Sequence, residues 1–319
     1  MKFVEASQFG GPEVLRVFEK ETPRATDGTL LVEVKAAGIN YADVAARSGF
    51  YPGITTAPFL PGFEIAGVVS EVGKGVKGFN VGDSVAAITS GGGYASHVVI
   101  PPAAAVPIPQ RLDHFHAAAL LVQGLTAYLL LEQAQVKKGD FVLIAAAAGG
   151  VGSLAVQLAK ARSATVIGLA SASKFGIAKS LGADHVFDYG QADWSTKVSD
   201  VTGSRGVQAF LDSTGDLASR AFPLMGEFGR WIIYGVRSGQ GSGLPGEALW
   251  PIIQKNISLM GFNLEGHLDQ VPRALTDLFR LVTDGRLKFE ITKYPLADAS
   301  AVHALFEQRK TTGKVVLIP

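Results

Sequence analysis

A continuous apolar run, Phe141–Ala146, ends in Ala147-x-Gly149-Gly150-Val151-Gly152 and passes at once into a helical pattern. Six apolar residues without polar alternation predict a strand buried on both faces, as in a parallel sheet covered by helices. The same unit then repeats. A helix over Val151–Ala161, a strand over Thr165–Leu169, a helix over Lys174–Leu181 and a strand at Val186 follow. Further strands are predicted at Val207–Leu211, Trp231–Tyr234 and Ile257–Phe262. Such alternation leaves little choice but a doubly wound α/β sheet.

The residues before this series read differently. Val32 and Val34 alternate with charged neighbours, and Gly67–Val72, Val85–Ile88 and Tyr94–Ile100 are β-rich. A short helix fits Tyr41–Arg47, and a Pro/Gly loop runs from Gly49 to Gly62. Prolines 101, 102, 107 and 109 mark a crossing segment. After Gly266 come a helix (Gln270–Val282), a strand near Ile291, a helix (Ala299–Gln308) and a strand (Val315–Ile318). With 319 residues the chain has room for two domains at about 150 residues each. The expected division is a β-rich domain, 1–121 with 264–319, around an inserted dinucleotide domain, 122–263.

Composition removes several functions. Lys plus Arg is 29 and Asp plus Glu 28, a net charge of +1, so no basic field exists to hold a nucleic-acid backbone. Zero cysteines exclude disulfides, thiolate nucleophiles and cysteine-ligated zinc. The apolar stretch Ala117–Leu131 is shorter than the roughly 18 residues of a membrane span and is expected to be a buried segment. The N-terminus carries Lys2 and Glu5 and no signal-peptide core, so a soluble cytoplasmic protein is expected, with no membrane partner.

The glycine turn is the dinucleotide fingerprint with its first glycine replaced by alanine. Small residues at Ala147, Gly149, Gly150, Val151 and Gly152 let backbone approach a pyrophosphate, and the helix N-terminus supplies N–H donors. A plain packing turn is the competing reading. About twenty residues on, NAD-binding folds place an acid for the ribose hydroxyls. Here no acidic residue lies between Asp140 and Asp184, and the second strand exits through Ser171-Ala172-Ser173-Lys174. A neutral exit with Ser171 and Lys174 alongside suits a 2′-phosphate; the alternative is that Lys174 opens a solvated helix face.

Taken together, the chain resembles the zinc-independent NADPH:quinone oxidoreductase, or zeta-crystallin-like, branch of the medium-chain dehydrogenase/reductase superfamily. The resemblance spans nearly the whole chain: Gly10-Gly11-Pro12-Glu13-Val14-Leu15, Gly38-Ile39-Asn40-x-x-Asp43, Arg47-x-Gly49-x-Tyr51-Pro52 and Pro61-Gly62-x-Glu64. It continues through Val81-Gly82-Asp83, Gly124-Leu125-Thr126-Ala127-Tyr128, Leu181-Gly182-Ala183-Asp184 and Thr311-Thr312-Gly313-Lys314-Val315-Val316-Leu317. Zinc-dependent relatives place Cys and His ligands where this chain has Asn40 and Phe63, and a third near Val122. Neither Asn nor Phe replaces a thiolate or imidazole on zinc, so no metal is expected.

The resemblance implies a β-rich GroES-like catalytic domain beside a Rossmann domain. It also implies hydride transfer from NADPH to a quinone in the interdomain cleft. An enone or alkenal double bond is the alternative acceptor, and a non-catalytic, crystallin-like NADPH binder the alternative class. Asn40 and Thr126 would lie beside the nicotinamide, and Lys174, Tyr189 and Arg309 around the 2′-phosphate. Asn40 and Tyr51 are the candidate catalytic residues. Asn40-x-x-Asp43 also reads as a helix N-cap, a compatible role, and Tyr51 also reads as loop packing. Ile257–Met260 is expected at an open sheet edge, and the chain is expected to form a homodimer.

Overall fold

The computed structural model describes residues 1–215, 218–236, 246 and 249–319. It divides into two compact units, Met1–Leu125 with Leu275–Pro319, and Thr126–Ala274. The first contains β1 (Lys2–Ala6), β2 (Leu15–Glu19), β3 (Leu30–Ile39), α1 (Tyr41–Ser48), β4 (Glu64–Val72), β5 (Ser84–Ile88), β6 (His97–Ile100) and β7 (Ala105–Pro107). Next, α2 (His114–Ala119) continues through a π-helical turn, Leu120–Gly124, into α3 (Leu125–Gln133). The second unit holds β8 (Phe141–Ile144), α4 (Gly150–Ala161), β9 (Thr165–Leu169), α5 (Phe175–Ser180) and β10 (His185–Phe187). It goes on with α6 (Trp194–Thr202), β11 (Val207–Asp212), α7 (Ala218–Ala221), β12 (Met225–Ile233), α8 (Leu249–Lys255) and β13 (Ser258–Gly261). The chain returns through α9 (Val271–Thr283), β14 (Ile291–Pro295), α10 (Ala299–Glu307) and β15 (Lys314–Ile318).

In the second unit the strands lie in the order β10-β9-β8-β11-β12-β13, and every pairing is parallel. The chain winds outward from β8 in one direction, then returns to β11 and winds in the other. That makes the C-terminal ends of β8 and β11 a topological switch point, where sheets of this kind bind ligands. Its core is built by Leu143, Ile167, Leu169, Trp194 and Phe210 with Trp231. Trp231 packs on Phe210 at 5.0 Å and Phe222 at 5.7 Å between ring centroids. Fully burying each such side chain stabilises by about 1.5–3 kcal/mol. In the first unit, a sheet ordered β14-β15-β3-β4-β5-β7, with β6 on β3, encloses Leu30, Val32, Ile39, Ile65, Val69, Val85, Val315 and Leu317. The β-rich and doubly wound parts of the expected fold class are both present.

Three expectations change in detail. The run Phe141–Ala146 stops being a strand at Ile144, because Ala146 turns into the left-handed region at φ +51°. Strand β12 begins at Met225, six residues before the expected Trp231. Gly226 and Gly229 flank a bulge at Phe228 (φ +53°), and the register on β11 jumps there. The apolar stretch Ala117–Leu131 is the middle of a 20-residue helix, His114–Gln133, which by length and composition could cross a membrane. Burial sets it apart: 72 % of its apolar window is enclosed by protein.

Candidate active site

The glycine turn joins β8 to α4. Gly149 N–H donates to Ala146 O at 2.8 Å and Ala147 N–H to Leu169 O at 3.0 Å. A Cβ on Gly152 would meet Ala146 O at 2.2 Å and the Ala147 Cα at 2.9 Å, so α4 can pack on the turn only with glycine there. Ala147, at the position of the missing glycine, is fully buried. Its methyl lies over Gly168 of β9, where an added Cβ would come within 2.8 Å of it. The absence of a side chain at Gly168 thus makes room for the alanine. Helix α4 has twelve residues and no acidic side chain in its first turn. Its N–H groups at Gly150, Val151 and Gly152 therefore form an anion cradle that fits a pyrophosphate.

One strand over, Phe187 of β10 pairs with Leu169 of β9, and Ala170 N–H donates to Phe187 O at 3.0 Å. Parallel pairing brings both strand ends to the same edge as the glycine turn. Ser171 opens a single 3-10 turn, Ala172–Lys174, with Lys174 N–H donating to Ser171 O at 2.9 Å. The Ser171 and Ser173 hydroxyls are 3.3 Å apart. Tyr189 lies two residues beyond β10, half-buried against the core of the second unit. Ser171, Lys174 and Tyr189 therefore leave adjacent strand ends. Two nearby carboxylates serve the backbone: Asp188 accepts the Gly190 N–H at 2.8 Å, and Asp184 accepts the Val166 N–H at 2.7 Å while pairing with Lys160. This edge fits a phosphate on the ribose.

In the first unit, Asn40 is the N-cap of α1, and Asp43 Oδ2 accepts its backbone N–H at 2.8 Å. The Asn40 side chain has other partners. Its Nδ2 donates to Glu64 Oε1 at 2.7 Å, and its Oδ1 accepts from Lys314 Nζ at 2.9 Å. Lys314 also donates to Ile39 O at 3.2 Å and forms an ion pair with Glu64 Oε1. Glu64 Oε2 accepts the Val122 N–H at 2.6 Å, from the π-helical turn, and Gln123 Nε2 donates to Ile39 O at 3.3 Å. Asn40, Asp43, Glu64, Gln123 and Lys314 are all buried. Burial, opposed by the Asn40 N–H and reinforced by the charge of Glu64, pushes the Asp43 carboxyl up to about 7.

Tyr51, half-buried in the loop after α1, stacks on Phe63 with 5.3 Å between centroids. Thr126 is buried on α3 in the second unit. Arg309 belongs to the first unit, exposed at the end of α10 with φ +56°. The structure thus gathers the glycine turn with Ser171, Lys174 and Tyr189 in one unit, and holds Asn40, Tyr51 and Arg309 in the other. Reading the sequence for site residues passes over Glu64 and Lys314. Their signal is a charged residue at the first position of an apolar strand, Glu64 before Ile65-Ala66 and Lys314 before Val315-Val316-Leu317.

Residues 26–110 match the alcohol dehydrogenase GroES-like domain, and residues 150–280 the zinc-binding dehydrogenase domain. Quinone oxidoreductase 1 of Escherichia coli (strain K12) is 36 % identical, with 99 % of each chain covered. The chain belongs to the quinone oxidoreductase branch of the medium-chain dehydrogenase/reductase superfamily. Among solved members, the E. coli quinone oxidoreductase complexed with NADPH superposes with a TM-score of 0.93 at 34 % identity, covering all of both chains. A 2-haloacrylate reductase of Burkholderia sp. is 32 % identical over 97 % of this chain and 96 % of its own. The GroES-like and Rossmann expectations are those of this family.

Proposed function

We propose that this member of the quinone oxidoreductase branch carries hydride from NADPH to a quinone, without a metal ion, in a cleft between its two units. The observation that carries the metal-free reading is the Asn40 site. Where zinc-dependent relatives place ligands, Asn40 turns its amide oxygen to an ammonium 2.9 Å away, and Phe63 offers a ring that stacks on Tyr51. A built-in cation already serves the donor atom. When bound, NADPH supplies the hydride. The pyrophosphate would rest on the N-terminus of α4, and Ser171, Lys174, Tyr189 and Arg309 would hold the 2′-phosphate. Asn40 and Thr126 would orient the nicotinamide, with Tyr51 facing the acceptor. A quinone takes hydride readily because its product is aromatic and water can protonate it. Orientation then matters more than Lewis acidity.

The similarity to a 2-haloacrylate reductase favours one second reading, reduction of an activated C=C bond. A single panel separates them: NADPH oxidation followed with simple quinones and with enones, before and after chelator treatment. Quinone turnover that survives chelation is expected. Turnover of enones alone would establish the second reading, and activity lost to a chelator and restored by zinc would refute the metal-free one.

We further propose that the chain works in the cytoplasm as a homodimer. Strand β13 ends the parallel sheet, with Leu259 39 % exposed. The preceding helix α8 leaves Leu249, Trp250 and Ile253 more than 60 % exposed. Among the described residues no further strand pairs with β13, and a strand edge together with an exposed apolar helix face suits a second copy of the chain.

A further inference from the structure

We propose that Lys314, together with Glu64, is a positioning residue for hydride transfer, setting the orientation of the Asn40 amide. This rests on the reading of Asn40 as a nicotinamide contact and adds the groups that aim it. A buried ammonium persists only when its donors are matched. Lys314 Nζ has three N–H donors and three acceptors: Glu64 Oε1, Asn40 Oδ1 at 2.9 Å and Ile39 O at 3.2 Å. Glu64 is matched in turn by Lys314, Asn40 Nδ2 and the Val122 N–H.

The Asn40 amide is therefore held by opposite charges at its two ends. A flip would turn its NH2 against the ammonium and its oxygen against the carboxylate, so a single orientation remains. The surrounding backbone is shaped for this arrangement. A Cβ on Gly38 would lie 2.1 Å from Glu64 Oε1, so β3 dispenses with a side chain to seat the carboxylate. The wide π turn at Leu120–Gly124 presents Val122 N–H to Oε2, and such turns are frequent at functional sites. Stability alone does not require any of this, since an apolar pair of similar volume is often as stable as a buried ion pair. What the ion pair adds is a fixed amide.

The test compares wild type, Lys314→Met and the double variant Lys314→Met/Glu64→Met. Lys314→Met should lower the unfolding temperature by leaving a buried carboxylate unpaired, and the double variant should recover it. With stability recovered, kcat for NADPH-dependent quinone reduction should still be down about 10- to 100-fold, as expected when a reacting group is misplaced, with the KM for quinone little changed. NMR of the Asn40 side-chain amide gives a readout free of turnover. Its NH2 should be protected from exchange in wild type and unprotected in the double variant. Wild-type kcat at recovered stability, or Asn40 protection unchanged by the double substitution, would overturn the proposal. A wild type that fails to oxidise NADPH with any quinone or enone tried would instead overturn the functional reading, and the amide signal would still report on Lys314 and Glu64. Should the double variant not fold, Lys314→Arg serves in its place: it keeps the charge but moves the donors. Lowered kcat with shifted Asn40 signals supports the proposal, and unchanged values of both refute it.

Discussion

Fully buried, Asp43 holds its proton up to about pH 7, against an ordinary value of 3.8. The folded protein thus binds that proton more tightly than the unfolded chain. The stability this adds is complete below about pH 3.8 and is lost as pH rises through about 7. His303 works the other way. Burial, with help from the Arg47 charge, lowers it to about 3, so stability is lost as pH falls below its ordinary 6.5. Subtracting one unfolding curve from another isolates Asp43. The stability of wild type minus that of Asp43→Asn should fall across pH 4.5 to 8 in urea titrations, and a flat difference would contradict the buried, protonated carboxyl. Lys174 is testable by binding. A charge-assisted hydrogen bond contributes about 1.5–3 kcal/mol, so Lys174→Ala should weaken NADPH binding about 10- to 100-fold. NADH, which lacks the phosphate, should barely respond. Equal losses for both cofactors would make Lys174 a structural residue.

The join of β8 to α4 carries its constraints in two glycines of different kinds. Gly152→Ala places a Cβ 2.2 Å from Ala146 O, a backbone atom that cannot step aside, so α4 must shift. A loss of about 1–3 kcal/mol in unfolding free energy is expected, as for other overpacked sites. At Gly149 the same methyl would stand 3.1 Å from that oxygen, and the residue has extended dihedrals open to alanine. Gly149→Ala should lower the unfolding temperature less than Gly152→Ala does, yet raise the NADPH dissociation constant, by intruding on the pyrophosphate. If both substitutions destabilise alike, Gly149 serves packing and not the phosphate. The turn was legible in the sequence because glycine spacing is a local backbone requirement. The compensation between Ala147 and Gly168 was not, because it links two strands through contact across the sheet.

For the whole molecule, assembly as a dimer would use strand β13, last in the second unit's sheet, and the exposed side chains of α8. Light scattering at micromolar concentration should give twice the mass of the 33.4 kDa chain. Trp250→Glu, on a side chain that is 64 % exposed, should shift that mass toward the monomer without loss of secondary structure. A monomeric wild type would refute the homodimer. A dimer indifferent to Trp250→Glu would move the interface elsewhere. The expected edge position of Ile257–Met260 agrees with β13 at the end of the sheet.

The sequence by itself determined the doubly wound sheet, its glycine turn and the neutral exit of its second strand. Each is written in neighbouring residues, as a hydrophobic period, a small-residue requirement or a missing carboxylate. It also placed Asn40 at a helix start, where spacing to Asp43 suffices. Only the tertiary structure decided what the Asn40 side chain does there. Its partners lie 24 residues away at Glu64 and 274 away at Lys314, brought together by the strand pairings β3–β4 and β15–β3. Spacing along the chain does not encode such partners. Hydrogen bonds between buried charges are selected by strand register, and register is settled only when the whole sheet closes on its core.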